Sequence, residues 1–84
     1  MTTSMKAAEV EARVRALVAE GGRLDPASVG PRTPFADLGL DSVTSLDLIA
    51  RLEESFDVRI PEADAVHLTC VESVVRFITR NAGR

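Results

Sequence analysis

Apolar residues recur at helical spacing in three stretches of the chain. Val10, Val14, Leu17 and Val18 fall at i, i+4, i+7 and i+8, with Ala7 extending the stripe and most of the neighbouring charges off it. This predicts a first helix, capped by Thr3 or Ser4 after a frayed 1–4 segment and stopped by Gly21-Gly22. A second helix is expected from Ser42 to Ser55 or Phe56, with Leu46, Ile49, Leu52 and Phe56 as its seam and Leu48 widening the apolar face. Val71, Val74, Val75 and Ile78 mark a last helix that ends at Asn81-Ala82-Gly83. Thr69 and Glu72 are spaced as a capping box before it.

The connections differ in character. Residues 23–40 contain Pro26, Pro31, Pro34, Gly30 and Gly39, which forbid regular structure through much of the segment. Leu24, Val29, Phe35, Leu38 and Leu40 punctuate it like anchors, so it should lie across the bundle with Phe35 and Leu38 tucked in and a short turn between Leu24 and Val29. Asp57 to Ile60 has no partner strand and reads as an extended connection. Pro61 then suits the start of a short helix from Glu62 to about His67. Elements with one apolar stripe each satisfy themselves only by packing together. The expectation is an all-α four-helix bundle, with three longer helices, one short helix at about 62–67 and a long loop between the first two helices. It is expected to be one domain over residues 1–84.

Composition narrows the function. The chain has 84 residues, 45% of them hydrophobic and 27% charged, so its core is thin and a deep active site is not expected. One cysteine, Cys70, permits neither an internal disulfide nor a cysteine-based zinc site. No apolar run approaches a membrane span and no hydrophobic leader opens the sequence, which makes a cytoplasmic protein the expectation. The net charge of −3 is unevenly spread: residues 35–64 hold eight acids against two bases, a balance of −6, while the rest carries +3. Such a block disfavours nucleic acid and anionic membrane, and it favours basic protein surfaces.

Signatures of catalysis are sparse. His67 is the sole histidine, and a hydrolase built on Ser42 and His67 would need a substrate pocket the sequence does not suggest. Cys70 reads as a small hydrophobe rather than an activated thiol. Asp37 to Asp47 lacks calcium-loop spacing, and no metal site is expected. Ser42 remains. A serine after an aspartate at a helix start is commonly capping chemistry alone. Here Asp41 already suits the cap, which leaves Ser42 spare. The first turn of a helix also offers free N–H groups and a positive dipole end to an attached phosphate, and the Pro/Gly loop delivers Ser42 to an edge.

The run Phe35-Ala36-Asp37-Leu38-Gly39-Leu40-Asp41-Ser42-Val43, followed by Leu52-Glu53-Glu54-Ser55-Phe56-Asp57-Val58-Arg59-Ile60-Pro61, resembles the acyl carrier proteins, and the likeness extends over the whole chain. It implies that Ser42 accepts a 4′-phosphopantetheine arm from coenzyme A as a phosphodiester. A separate phosphopantetheinyl transferase with Mg²⁺ would do the chemistry, so the chain itself would not be an enzyme. The arm would hold acyl groups as thioesters. Asp41 would help dock the transferase, and the second helix would meet partners through Val43, Asp47, Ala50, Glu53 and Glu54. Those partners would be a ketosynthase, an acyltransferase or ligase and other biosynthetic enzymes with basic patches, with the carrier a monomer. Leu46, Leu48, Ile49, Leu52, Phe56 and Val71 match positions around which related carriers hold an acyl chain. A thin aliphatic bundle can part to admit one, at about 0.8 kcal/mol per buried CH₂.

Thr44 stands where many fatty-acid carriers have an acid, and Leu40 is bulkier than the usual residue there. Polyketide or hybrid biosynthesis therefore stays open beside fatty-acid biosynthesis. Two rivals remain. An aminoacyl or peptidyl carrier would usually show Gly-Gly-x-Ser, which Asp41 opposes. A small helical interaction module without a cofactor would leave Ser42 unmodified.

Overall fold

A computed structural model describes residues 6–81. It contains α1 (Ala7–Gly22), α2 (Ser42–Phe56), α3 (Glu62–Ala65) and α4 (Val71–Asn81), with no strand among the described residues. The all-helical expectation holds, with α3 shorter than the 62–67 reading. The predicted Thr3 or Ser4 cap, the frayed 1–4 segment and the Ala82-Gly83 stop lie outside the described residues. Lys6 is the cap residue of α1, and its amide donates to Glu9 Oε1 at 2.9 Å, the reach-back half of a capping box.

The core is aliphatic. Val10, Val14 and Val18 of α1 meet Leu52 of α2 and Val71, Val74 and Ile78 of α4, all within 2% of complete burial. Val29, Phe35, Ile60 and Leu68 close it from the connections. α1 packs against both α4 and α2. Two side-chain ties lie on the α1–α2 surface. Arg13 Nε donates to Ser55 Oγ at 2.9 Å, and Arg51 Nη1 meets Glu20 Oε1 at 3.0 Å. Arg51 also makes the i−4 pair with Asp47 that its spacing suggests, at 2.8 Å.

The seam of α2 differs from the expected one. Leu48 and Leu52 are its buried residues, Ile49 and Phe56 are partly buried, and Leu46 is 72% exposed. The apolar positions of α2 cover more than one face, so the sequence pattern alone does not say which face meets α1. The neighbours decide, and they take the line through 48, 52 and 56.

The long connection is more regular than its prolines suggest. It holds two 3₁₀ turns, Pro26–Ser28 and Phe35–Leu38. Asp25 Oδ1 caps the first by accepting from the Ala27 amide at 2.9 Å. Backbone bonds then lace the loop to the start of α4: Phe35 N donates to Thr69 O and Glu72 N to Pro31 O, both at 2.8 Å. The cap of α4 also departs from the Thr69/Glu72 expectation. Ser73 Oγ accepts from the amides of Thr69 and Cys70, both at 3.1 Å, and donates to Cys70 O at 2.8 Å. Glu72 faces Arg32 and Arg76 instead, at 3.6 and 3.9 Å.

Helix ends are not governed by glycine alone. α1 terminates with Arg23 in the left-handed region, φ 57°, while Gly22 stays helical. α2 ends with Asp57 at φ 52°. After Asp57 the extended stretch is held by Glu53, whose Oε2 accepts from the Ile60 amide at 2.8 Å.

Candidate functional site

The site is the start of α2. The 3₁₀ turn Phe35–Leu38 ends in Gly39 at φ 81°, where a β-carbon would touch nothing within 4 Å. Glycine is thus required for its dihedral and not for space. Leu40 then packs partly against the core, and its amide donates to Phe35 O at 3.3 Å. Asp41 is extended and Ser42 is the first helical residue. The loop before Ser42 is therefore fixed at both ends, with buried Phe35 on one side and α2 on the other.

Asp41 is the N-cap, as its position suggests. Its Oδ1 accepts from the Thr44 amide at 2.8 Å. That hydrogen bond, with the Thr44 hydroxyl beside it, holds the Asp41 carboxyl below its ordinary range. Asp41 is thus a fixed negative charge next to Ser42. Because Asp41 supplies the cap, the exposed Ser42 hydroxyl is not spent on it.

A cleft of about 320 Å³ opens beside Ser42. Ser42 and Ser45 stand at its polar edge; Leu48, Ile49, Leu52 and Leu68 line it from the core, and Leu46 and Val66 flank it. Val66, at the end of α3, is 65% exposed. Nothing in its spacing distinguishes Val66 from a core residue, so sequence reasoning missed it.

Val43, Asp47, Ala50 and Glu54 are exposed along one side of α2, at i, i+4, i+7 and i+11. Val43 is 75% exposed, the largest value among the bulky apolar side chains of the described residues. Glu53 is set apart from them. It is half-buried and one of its oxygens is committed to Ile60, a bond between residues seven apart that no helical spacing announces. Asp47 is exposed but already paired with Arg51. His67 lies in a different shallow groove, with Asp64, Arg76, Phe77 and Arg80, and does not line the cleft of Ser42. Cys70 is half-buried at the start of α4, its Sγ 3.8 Å from Ser73 Oγ. No described helix is long and apolar enough to cross a membrane.

The loop, the Asp41-capped helix start and the exposed Ser42 make up the candidate site, presented by a helical bundle. Residues 12–78 match the family model described as a phosphopantetheine attachment site. The acyl carrier protein of Thermosynechococcus vestitus is 43% identical over 75 residues, spanning 88% of this chain and 93% of that one. The chain belongs to the acyl carrier protein family, whose members carry a phosphopantetheine attachment site. Two solved structures share the fold. A free-standing peptidyl carrier protein from a secondary metabolic pathway of Acinetobacter baumannii superposes with a TM-score of 0.79 at 23% identity, over 89% of this chain and 94% of that one. The HMG-ACPI domain of the CurA module from Lyngbya majuscula gives 0.81 at 16% identity, over 95% of this chain and 84% of that one. At these identities the likeness is one of fold alone. Family membership brings the coarse role: a carrier that works with biosynthetic enzymes and is generally not itself a catalyst.

Proposed function

We propose that Ser42 carries 4′-phosphopantetheine and that the chain delivers acyl groups to partner enzymes of polyketide or fatty-acid biosynthesis. The observation that carries this reading is the division of work at the start of α2, where Asp41 caps and Ser42 is left exposed and spare. The residues fit the group. A phosphodiester on Ser42 Oγ sits at the amino end of a fifteen-residue helix, where free N–H groups and the dipole favour negative charge. The Ser42 oxygen forms the new bond to phosphorus as the pyrophosphate link of coenzyme A breaks and its nucleotide half leaves. Catalysis of that exchange belongs to the transferase, so Ser42 needs only to be reachable. Once attached, the arm supplies a terminal thiol that bears acyl groups as thioesters.

Asp41, ionised through the physiological range, contributes charge at the docking point of the transferase. Val43, Asp47, Ala50 and Glu54 form the partner-facing side of α2, with apolar contact from Val43 and Ala50 and charge from the acids. Glu53 serves this face indirectly, by holding the turn to Ile60. The cleft beside Ser42 is wide enough to accept part of an acyl chain, and each CH₂ buried there contributes about 0.8 kcal/mol. The chain acts as a non-catalytic, cytoplasmic, monomeric subunit of a biosynthetic system.

The test is intact mass after incubation with coenzyme A and a broad-specificity phosphopantetheinyl transferase. Wild type gains one phosphopantetheine, and Ser42→Ala gains none. An unmodified wild type, or an equal gain in Ser42→Ala, sinks the proposal. Loading of the modified chain by amino-acid-activating enzymes in preference to acyl donors would move it to the peptidyl carriers.

A further inference from the structure

Gly21 and Gly22 close α1, yet neither takes a positive φ; Arg23 does. The glycine at 22 answers a demand for space. A β-carbon there would meet Leu40 Cδ2 at 2.9 Å, Leu24 Cδ1 at 3.0 Å and Leu24 Cγ at 3.2 Å, well inside the roughly 3.5–4.0 Å of ordinary carbon contact. Leu24 and Leu40 are both partly buried against the core, so neither swings aside freely. One residue earlier, the same construction at Gly21 lies 3.8 Å from Thr44 Cγ2. Leu40 directly precedes Asp41, and Thr44 receives the Asp41 cap. The glycine pair therefore abuts Leu40, just before Asp41-Ser42, and Thr44, two residues after it.

We propose that the end of α1 is the seat that positions the attachment serine, with Gly22 and Leu40 as positioning residues for transfer onto Ser42. This rests on the reading of Ser42 as the attachment point. Leu40 enters the space that glycine leaves and fixes where the chain turns into α2. That also accounts for a bulky residue at position 40. The atoms nearest a β-carbon at either glycine belong to Leu24, Leu40 and Thr44 and not to Val43, Asp47 or Glu54, so partner docking and serine placement are separable.

The experiment is steady-state transfer from coenzyme A by a phosphopantetheinyl transferase, with the carrier as varied substrate. It is paired with amide chemical shifts and a thermal melt of the unmodified chain. Gly22→Ala lowers kcat about tenfold, the order expected for a reacting atom displaced by less than an ångström, and leaves KM for the carrier within about twofold because docking is intact. Its amide shifts concentrate in residues 40–44. Adding Leu40→Val, which removes the clashing Leu40 Cδ2 methyl, returns kcat to that of Leu40→Val alone; adding Leu24→Ala does not. Wild-type kcat in Gly22→Ala overturns the proposal, as does rescue by Leu24→Ala in place of Leu40→Val. Amide changes spread evenly through the bundle with a lowered melt also overturn it, by marking Gly22 as merely structural. A wild type that takes no phosphopantetheine defeats the attachment reading instead, and the amide shifts then decide the seat by themselves.

Discussion

At the scale of single residues, three neighbours divide the work of presenting one hydroxyl. Gly39 supplies a left-handed turn, Asp41 the cap and Ser42 the oxygen. Gly39→Ala has open space for its methyl and is opposed only by its dihedral, so it should cost roughly 1–2 kcal/mol in a denaturant titration. Asp41 makes the site sensitive to acid. Its carboxyl is lowered in the fold, so the charged form is the one the fold favours. Its contribution is complete above the ordinary value of 3.8 and is lost as pH falls from there through the lowered folded value. Hydrogen exchange of the Thr44 amide should accelerate in that window relative to amides in the middle of α2, and Asp41→Asn should remove most of the difference. Equal acid sensitivity in the variant would assign the effect to another carboxylate. The two sides of this dipeptide were not equally legible. Asp41 and Ser42 are readable from residue type and order, because capping is local. The fit of Leu40 into the room left by Gly22 is not, because it joins residues eighteen apart through packing that no periodicity encodes.

At the scale of elements, α2 shows what an apolar pattern decides and what it leaves open. Its limits were legible to the residue at the start, since Asp41 is a cap of ordinary type. Its buried line was not, since Leu46, Leu48, Ile49 and Leu52 give the helix apolar residues on more than one side. Substitution separates them. Leu52 is fully buried, so Leu52→Ala should cost about 3 kcal/mol, on the order of 15 °C in melting temperature for a domain of this size. Leu46→Ala should stay within about 0.5 kcal/mol, because the side chain is already in solvent, and should instead weaken partner turnover. A large loss of stability in Leu46→Ala would return that residue to the core. The ends of α1 and α4 carry the same lesson. Their stops and caps depend on Arg23 and Ser73, where the sequence pattern pointed to Gly21-Gly22 and Thr69. A left-handed arginine and a serine at the third helical position are allowed by local chemistry without being announced by it.

At the scale of the molecule, the candidate site at Ser42 lies within the acidic part of the sequence. The acidic block from residue 35 to 64 spans the end of the long loop, α2 and most of α3, while eight of the ten bases lie outside it. Not all of those acids are free. Among the three acids of α2, Asp47 is tied to Arg51 and Glu53 to Ile60, which leaves Glu54 with neither kind of tie among the described residues. Association with a basic partner enzyme should therefore weaken as salt rises from about 0.05 to 0.5 M, as screening shortens the reach of exposed charges. Glu54→Gln should reduce the association rate more than Glu53→Gln, while Glu53→Gln should show the larger loss of stability through Ile60. The reverse order in stopped-flow binding and thermal melts would place Glu53 at the interface. The bundle, its long loop and the exposed serine at the start of α2 were legible in the sequence, because periodicity, prolines and a spare hydroxyl are local signals. Which acids remain available was not, because that depends on partners brought in by the fold.

The carrier reading turns on modification at Ser42. It is tested most directly by fragmentation mass spectrometry of the protein purified from cells that produce it together with a phosphopantetheinyl transferase. One phosphopantetheine should be found, on Ser42 alone. Modification on Ser45 or another residue, or an unmodified chain alongside a fully modified control carrier from the same cells, would contradict the account.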